Sequence, residues 1–338
     1  MAFIQDLSSE GSIDRTLPVL QAVRLAFATA SFSEESPLDV EVVSFDTQGV
    51  PATADEIAAQ VAGNPAYVAA IAAPELAGQA ELVAALSAAD VPLVSLSARG
   101  SVGAAAAGTW LRLVAPVDAQ ARELTETVSS LRRARSGVCM VSAEPDGTTF
   151  ARTARGSLPK DLEVADVEGP GAVEDAGCGV AVWPGDAIGG AELAIALASA
   201  APPAPVVAGG PMLRDPRFLA LAGATAEGAV SICSCADVST SLDLAAQRFI
   251  QDYQSEYGSP PGPYAVEAWD AAHLLARGLR DAGPTGSGLT SWIAGQSTVD
   301  GLGGPYVVAD GELTDPKSYL HVFRLSGGRW LQIESPGG

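Results

Sequence analysis

The sequence is poor in positive charge. Of 338 residues only 19 are Lys or Arg, against 40 Asp or Glu, which leaves a net charge of −21. Such a field repels phosphate backbones and anionic lipid, so no nucleic-acid partner is expected. Aromatic residues are sparse at 6 %, although 48 % of the chain is hydrophobic. The core must therefore come from Ala, Val, Leu and Ile, at a content too high for a disordered chain. No stretch reaches the roughly 18–20 consecutive apolar residues of a membrane-spanning helix. The opening residues, Met1-Ala2-Phe3-Ile4-Gln5-Asp6-Leu7, lack the basic and apolar regions of a secretory signal. That leaves a cytoplasmic protein, or a trimmed mature domain with a replacement Met.

Histidine and cysteine are scarce too, at two and four copies. Cys139, Cys178, Cys233 and Cys235 are expected to be buried strand thiols or to form one structural disulfide, since a chain of this size folds without staples. Cys233-Ser234-Cys235 has no partner at zinc-type spacing and His273 and His321 stand alone, so no metal is expected. There is no phosphate loop, no G-x-S-x-G elbow and no H-E-x-x-H. Gly286-Ser287-Gly288 lacks a preceding strand and a third glycine, which argues against a dinucleotide site. Neither histidine stands beside an obvious nucleophile, so a Ser/His/Asp hydrolase has no support. The expectation is a protein that is not an enzyme and carries no cofactor.

What the sequence does contain is alternation. Residues 40–45, 67–73 and 92–96 read as apolar strands, separated by helical patterns at 53–62 and 75–89, the first opened by a Thr/Asp cap. The rhythm repeats with a helix at 118–132, a strand at 137–141, a helix at 148–158, strands at 164–167 and 180–183, and a helix at 190–198. Strand, helix and strand follow at 206–209, 218–223 and 229–233. Apolar runs of this length, separated by helices, predict an α/β protein with two doubly wound parallel-sheet lobes. Two long helices follow at 242–257 and 264–281, joined by Gly258-Ser259-Pro260-Pro261-Gly262-Pro263. After a Gly/Ser/Thr-rich loop the chain ends in β-like segments.

In open α/β sheets ligands bind outside the carboxyl ends of the strands, so the loops at Ser8-Ser9-Glu10, Pro74-Glu75-Leu76, Ser97-Ala98-Arg99-Gly100, Glu144-Pro145-Asp146-Gly147, Pro184-Gly185-Asp186 and Pro211-Met212 are the informative ones. The segment order resembles the type I periplasmic solute-binding fold, in the branch of branched-chain amino acid (Leu/Ile/Val) receptors that serve ABC importers. The likeness rests on Val91-Pro92-Leu93-Val94-Ser95, on Thr109-Trp110-Leu111-Arg112 with Pro116-Val117-Asp118, and on Phe249, Tyr253, Tyr257 and Gly258. Further support comes from Pro263-Tyr264-Ala265-Val266-Glu267-Ala268-Trp269-Asp270-Ala271, from Val299-Asp300-Gly301-Leu302-Gly303-Gly304-Pro305, and from Asp310-Gly311-Glu312.

The resemblance implies two lobes joined by a three-stranded hinge, one of residues 1–117 and 249–316, the other of 118–248 and 317–338. It implies hinge closure over a small ligand, delivery to a membrane ABC permease, a monomer, and an extracytoplasmic location, periplasmic or lipid-anchored. The ligand carboxylate is expected at Leu76, Ser97, Ala98 and Arg99, with Pro74 and Glu75 beside Leu76, Ser9 on the loop after the first strand, and Ile13 and Asp14 as another ligand-facing position on that first loop. Arg99 can pair bidentately with a carboxylate, or can simply face solvent. Met212 stands where amino-acid receptors hold the ammonium with a Glu; Asp146 or Asp186 can supply that anion, or act only as turn aspartates. Tyr264 and Trp183 can line an apolar wall or belong to the core. The competing readings are a ligand-sensing domain of the same fold attached to a kinase or regulator and, more remotely, an α/β enzyme.

Overall fold

The computed structural model describes residues 1–9, 12–30, 38–74, 76, 79–98, 108–132, 137–142, 148–158, 160, 163–173, 176–199, 204–209 and 214–333. The chain divides into two units, Met1–Pro116 with Cys235–Tyr319, and Val117–Ser234 with Leu320–Gly338. It passes from one unit to the other three times. The second passage falls at Ser234 and Cys235, straight after a strand, rather than at 249, where it would have cut a continuous helix.

The first unit opens with β1 (Ala2–Gln5), α1 (Ser12–Thr29), β2 (Val43–Asp46), α2 (Pro51–Ala62), β3 (Ala70–Ala72), α3 (Gln79–Ala88), β4 (Leu93–Ser95) and β5 (Trp110–Arg112). These five strands are all parallel, in the order β2-β1-β3-β4-β5. Helix α2 starts with Pro51 at its first position and has no side-chain cap, so the expected Thr/Asp cap is absent. Proline serves there because the first N–H of a helix has no intrahelical partner anyway.

The second unit contributes α4 (Val117–Arg132), β6 (Val138–Ser142), α5 (Thr148–Ser157), β7 (Val164–Glu168), β8 (Val180–Val182), α6 (Ala187–Ala198), β9 (Val206–Gly209), α7 (Pro216–Ala222) and β10 (Val230–Cys233). Its parallel strands run β7-β6-β8-β9-β10. The period of two splits each strand between two cores. Val138, Met140, Val180, Val182, Val207 and Ile232 pack with Leu124 and Val128 of α4, while Cys139, Val141, Ala181, Val206 and Ala208 pack with Leu193 of α6 and Phe218 of α7. Burial on both faces is why these strands read as unbroken apolar runs.

Back in the first unit come α8 (Leu244–Tyr257), α9 (Ala265–Ala282) and α10 (Gly286–Ala294), then an antiparallel sheet of β11 (Thr298–Gly301), β12 (Gly304–Ala309) and β13 (Glu312–Leu313). Asp243 caps α8 through the N–H groups of Ala245 and Ala246, and Gly258 ends it at φ +72°, a left-handed conformation that glycine adopts without a Cβ penalty. The loop expected around Gly286-Ser287-Gly288 is in fact the start of α10, capped by the Thr285 hydroxyl. The chain closes in the second unit with β14 (His321–Ser326), antiparallel to β10, and β15 (Arg329–Ile333), antiparallel to β14.

Cysteine usage departs from expectation. Cys139 of β6 is bonded to Cys178, with Cα atoms 5.5 Å apart and a sequence separation of 39, a closure that stabilises by roughly 3–4 kcal/mol in the chain-entropy picture. Cys233 and Cys235 are disulfide-bonded as well, so none of the four is a free thiol. Among the described residues no group of three or more His, Cys, Asp or Glu could hold a metal ion, and no helix is long and apolar enough to cross a membrane.

Candidate ligand-binding strand ends

Both parallel sheets have the strand order second-first-third-fourth-fifth. In such a sheet the connections leaving the first and third strands run to opposite faces, which opens a crevice at their carboxyl ends. In the first unit that position lies after β1 and β3, and in the second after β6 and β8.

The turn after β1 is held by two aspartates. Asp6 accepts the N–H groups of Ser8 at 3.1 Å and Ser9 at 3.0 Å. Asp46, at the end of the neighbouring β2, accepts the N–H of Leu7 at 2.9 Å, that of Gln48 at 2.9 Å and the Ser8 hydroxyl at 2.6 Å. Burial alone would raise the Asp46 pKa, but the Ser8 hydroxyl and the surrounding N–H groups outweigh it and hold the carboxyl below its ordinary value. Gly49 completes the turn at φ +68°; a Cβ there would lie 2.6 Å from the Ser9 hydroxyl. Ser9 is exposed and its carbonyl accepts from the N–H and hydroxyl of Ser12, the first residue of α1. Ile13 and Asp14 are exposed on the first turn of that helix.

Pro74 follows β3 and is half-buried, whereas the Leu76 side chain is enclosed among Leu82, Val83 and Leu93 in the core. After β4, Ser97 is fully buried with its N–H donated to Ser95 Oγ at 3.1 Å, and Ala98 is buried with its carbonyl accepting from Arg112 Nη1 at 3.4 Å. Tyr264 is buried at the N-terminus of α9 with φ +64°, a left-handed conformation that is costly for a large side chain. Glu75, Arg99, Asp146 and Met212 lie outside the described residues.

In the second unit Trp183 and Asp186 work on each other. The indole N–H donates to the Asp186 carbonyl at 2.6 Å, and the Asp186 carboxylate caps α6 by accepting the Gly189 N–H at 2.8 Å. The Trp183 ring lies so close to Gly189 that a Cβ there would come within 2.4 Å of it. Trp183 is therefore part of the unit's core, and Asp186 remains exposed at the helix end.

Three buried charged residues of the first unit were not among the expected ones: Arg112, Glu267 and Asp270. Glu267 accepts the Ala236 N–H at 2.7 Å and so fixes the chain where it re-enters the first unit. In sequence each is a single charge within an apolar pattern, which marks a buried charge but not its partner or role: Arg112 ends Trp110-Leu111, and Glu267 and Asp270 lie on the same face of α9 as Ala271 and Leu274.

A family model described as periplasmic binding protein matches residues 1–329. The chain belongs to that family. The binding protein also shares its fold with solved structures of low sequence identity. A leucine-binding protein LivK from Thermotoga maritima superposes with a TM-score of 0.80 at 15 % identity, over 98 % of this chain and 97 % of that one. The branched-chain amino acid transporter substrate-binding protein LivJ from Streptococcus pneumoniae, in complex with isoleucine, gives 0.78 at 17 %, over 98 % and 99 %. An ABC transporter solute-binding protein from R. palustris, in complex with benzoate, gives 0.76 at 13 %, over 99 % and 95 %. No curated relative matches the sequence.

Proposed function

We propose that this binding protein captures a small carboxylate-bearing molecule, an amino acid or a related organic acid, and delivers it as a monomer to a membrane ABC permease outside the cytoplasm. The observation that carries the reading is the pair of serine-bearing turns at the ends of β1 and β4, set by Asp6, Asp46 and Arg112 beside the switch point of the first sheet. Leucine, isoleucine and benzoate, named with the three similar proteins, share a carboxylate and an apolar body and little else. Ser97, Ala98, Arg99 and, through its main chain, Leu76 are the proposed carboxylate contacts, with Ser9, Pro74 and Glu75 as further candidates from the strand-end loops. Ile13, Asp14 and Tyr264 are the remaining candidates in the first unit, and Asp146, Asp186 and Met212 in the second, where Trp183 supports Asp186 from the core instead of facing a ligand. Disulfide bonding of all four cysteines supports the location, because disulfides persist in oxidising compartments.

A thermal-shift and calorimetric series with leucine, isoleucine, 4-methyl-2-oxopentanoate and benzoate tests the proposal. A ligand at about 100 times its dissociation constant stabilises by roughly 2.7 kcal/mol. Because Met212 supplies no carboxylate for an ammonium, the two acids without an amino group should bind more tightly than leucine. A panel of small carboxylates in which none stabilises the protein overturns the reading.

A further inference from the structure

Arg112 ends β5, and it is 1 % exposed, an unusual setting for a guanidinium unless its surroundings use it. Three parts of the first unit meet on this side chain. Its Nη1 donates to the carbonyl of Ala98, in the turn after β4, at 3.4 Å. Its Nε lies 3.4 Å from Glu312 Oε2 on β13. Its carbon Cζ stands 5.3 Å from the centre of the Trp110 ring. The main chain reinforces the arrangement, since Arg112 N–H donates to Gly311 O at 2.8 Å. Gly311 has φ +80°, and a Cβ there would come within 2.4 Å of the Trp110 carbonyl. Residues 309–312 and β5 are thus packed backbone against backbone, and Arg112 extends that contact to the Ser97–Ala98 turn.

We propose that Arg112 is a positioning residue: it sets the Ser97–Ala98 turn for a ligand carboxylate and ties that turn to the β12–β13 hairpin through Glu312. The assignment rests on the function proposed above for the turn and adds the residue that holds it. A guanidinium suits the task because its planar fork presents donors in several directions at once, which a lysine ammonium on a flexible stem cannot reproduce. Holding the Ala98 carbonyl fixes the direction of the chain as it leaves Ala98, and so limits how the Ser97–Ala98 turn can present its groups to a ligand. Glu312, on the opposite side of the guanidinium, keeps the fork from turning away. Two chain segments that flank passages between the units, β5 before Val117 and β13 before Leu320, are thereby joined to the same turn.

The test uses the whole chain with Arg112→Met, Arg112→Lys and Glu312→Gln. Hydrogen exchange in ligand-free protein should be faster across residues 96–98 in all three variants, least in Glu312→Gln, and unchanged in β1 and α9. Calorimetry should show Arg112→Lys binding benzoate and leucine about 10–100-fold more weakly than wild type, the loss expected for one hydrogen bond to a charged group. Benzamide and leucinamide, which have no carboxylate, should lose less. A purely structural role would lower the melting temperature but leave the acid-to-amide ratio unchanged, and that result overturns the assignment. So does unchanged exchange at 96–98 in Glu312→Gln, a readout that remains if both Arg112 variants fail to fold. If wild type binds none of the four probes, the proposed ligand class fails, while the exchange data still decide whether Arg112 sets the turn.

Discussion

Asp270 carries a carboxylate into the interior of the first unit and meets three donors there: the N–H groups of Leu302 at 2.7 Å and Gly303 at 2.9 Å, and the Tyr306 hydroxyl at 2.8 Å. These donors favour the ionised form, yet burial outweighs them and pushes the pKa from 3.8 to about 6. Between pH 4 and 6 the unfolded chain has given up this proton while the folded protein keeps it. The stabilisation is therefore fully present below about pH 4 and is lost as pH rises through 6, by up to roughly 3 kcal/mol. Asp270→Asn removes the titration. The stability difference between wild type and variant, from urea unfolding at pH 4, 5, 6 and 7, should shift against wild type up to about pH 6 and level off above it. A difference that is flat across the range would show that the donors, and not burial, control this carboxyl. Nothing in the local sequence announced the role, because the partners lie more than thirty residues further along the chain.

Helices α1 and α8 illustrate the same point one level up. Pro18 lies inside α1 and can donate no N–H to the preceding turn. Near that interruption Tyr253 of α8 donates to Gln21 Oε1 at 2.8 Å, and Tyr257 donates to the Gln21 carbonyl at 3.0 Å. Tyr253→Phe should cost about 0.5–1.5 kcal/mol in unfolding free energy, with leucine and benzoate affinities unchanged. Urea unfolding beside calorimetry checks both parts; a neutral substitution would mean the hydroxyl is equally well solvated in the unfolded chain.

Elements of this kind were legible in the sequence where one physical signal dominated. Strand β9 falls on residues 206–209 as read, because an apolar run bounded by proline and glycine has few alternatives, and α8 and α9 follow their 3.6-residue pattern closely. Helix α10 was not legible. Its first turn is Gly286-Ser287-Gly288, a loop by composition, but a Cβ at Gly286 would lie 2.3 Å from the Asp90 carbonyl. Gly286 serves that close backbone approach, and the cause lies almost two hundred residues away in the chain. The strand-end turns were legible as loops from the fold rule alone, whereas the residues that hold them, Asp46 and Arg112, were not, since each acts on another segment.

For the molecule as a whole, the proposed function requires the two units to approach one another when ligand is bound, as differential contacts in open and closed states would produce. Small-angle scattering should then give a smaller radius of gyration with a saturating ligand from the panel than without it, at salt high enough to screen the net charge of −21. An unchanged radius for saturated protein would refute closure.

The three passages of the chain also bear on how the protein is made. The first unit contains α1 but is finished by Cys235–Tyr319, so α1 ends at Thr29 while the helix that covers it, α9, begins only at Ala265. At a synthesis rate of ~5–20 residues per second, the apolar side of α1 waits on the order of ten to fifty seconds for its cover. The five parallel strands of the second unit, contiguous from Val138 to Cys233, emerge together and can pair within that interval. The sheet of the second unit can therefore form before the first unit is complete, and the window of exposed apolar surface falls on α1.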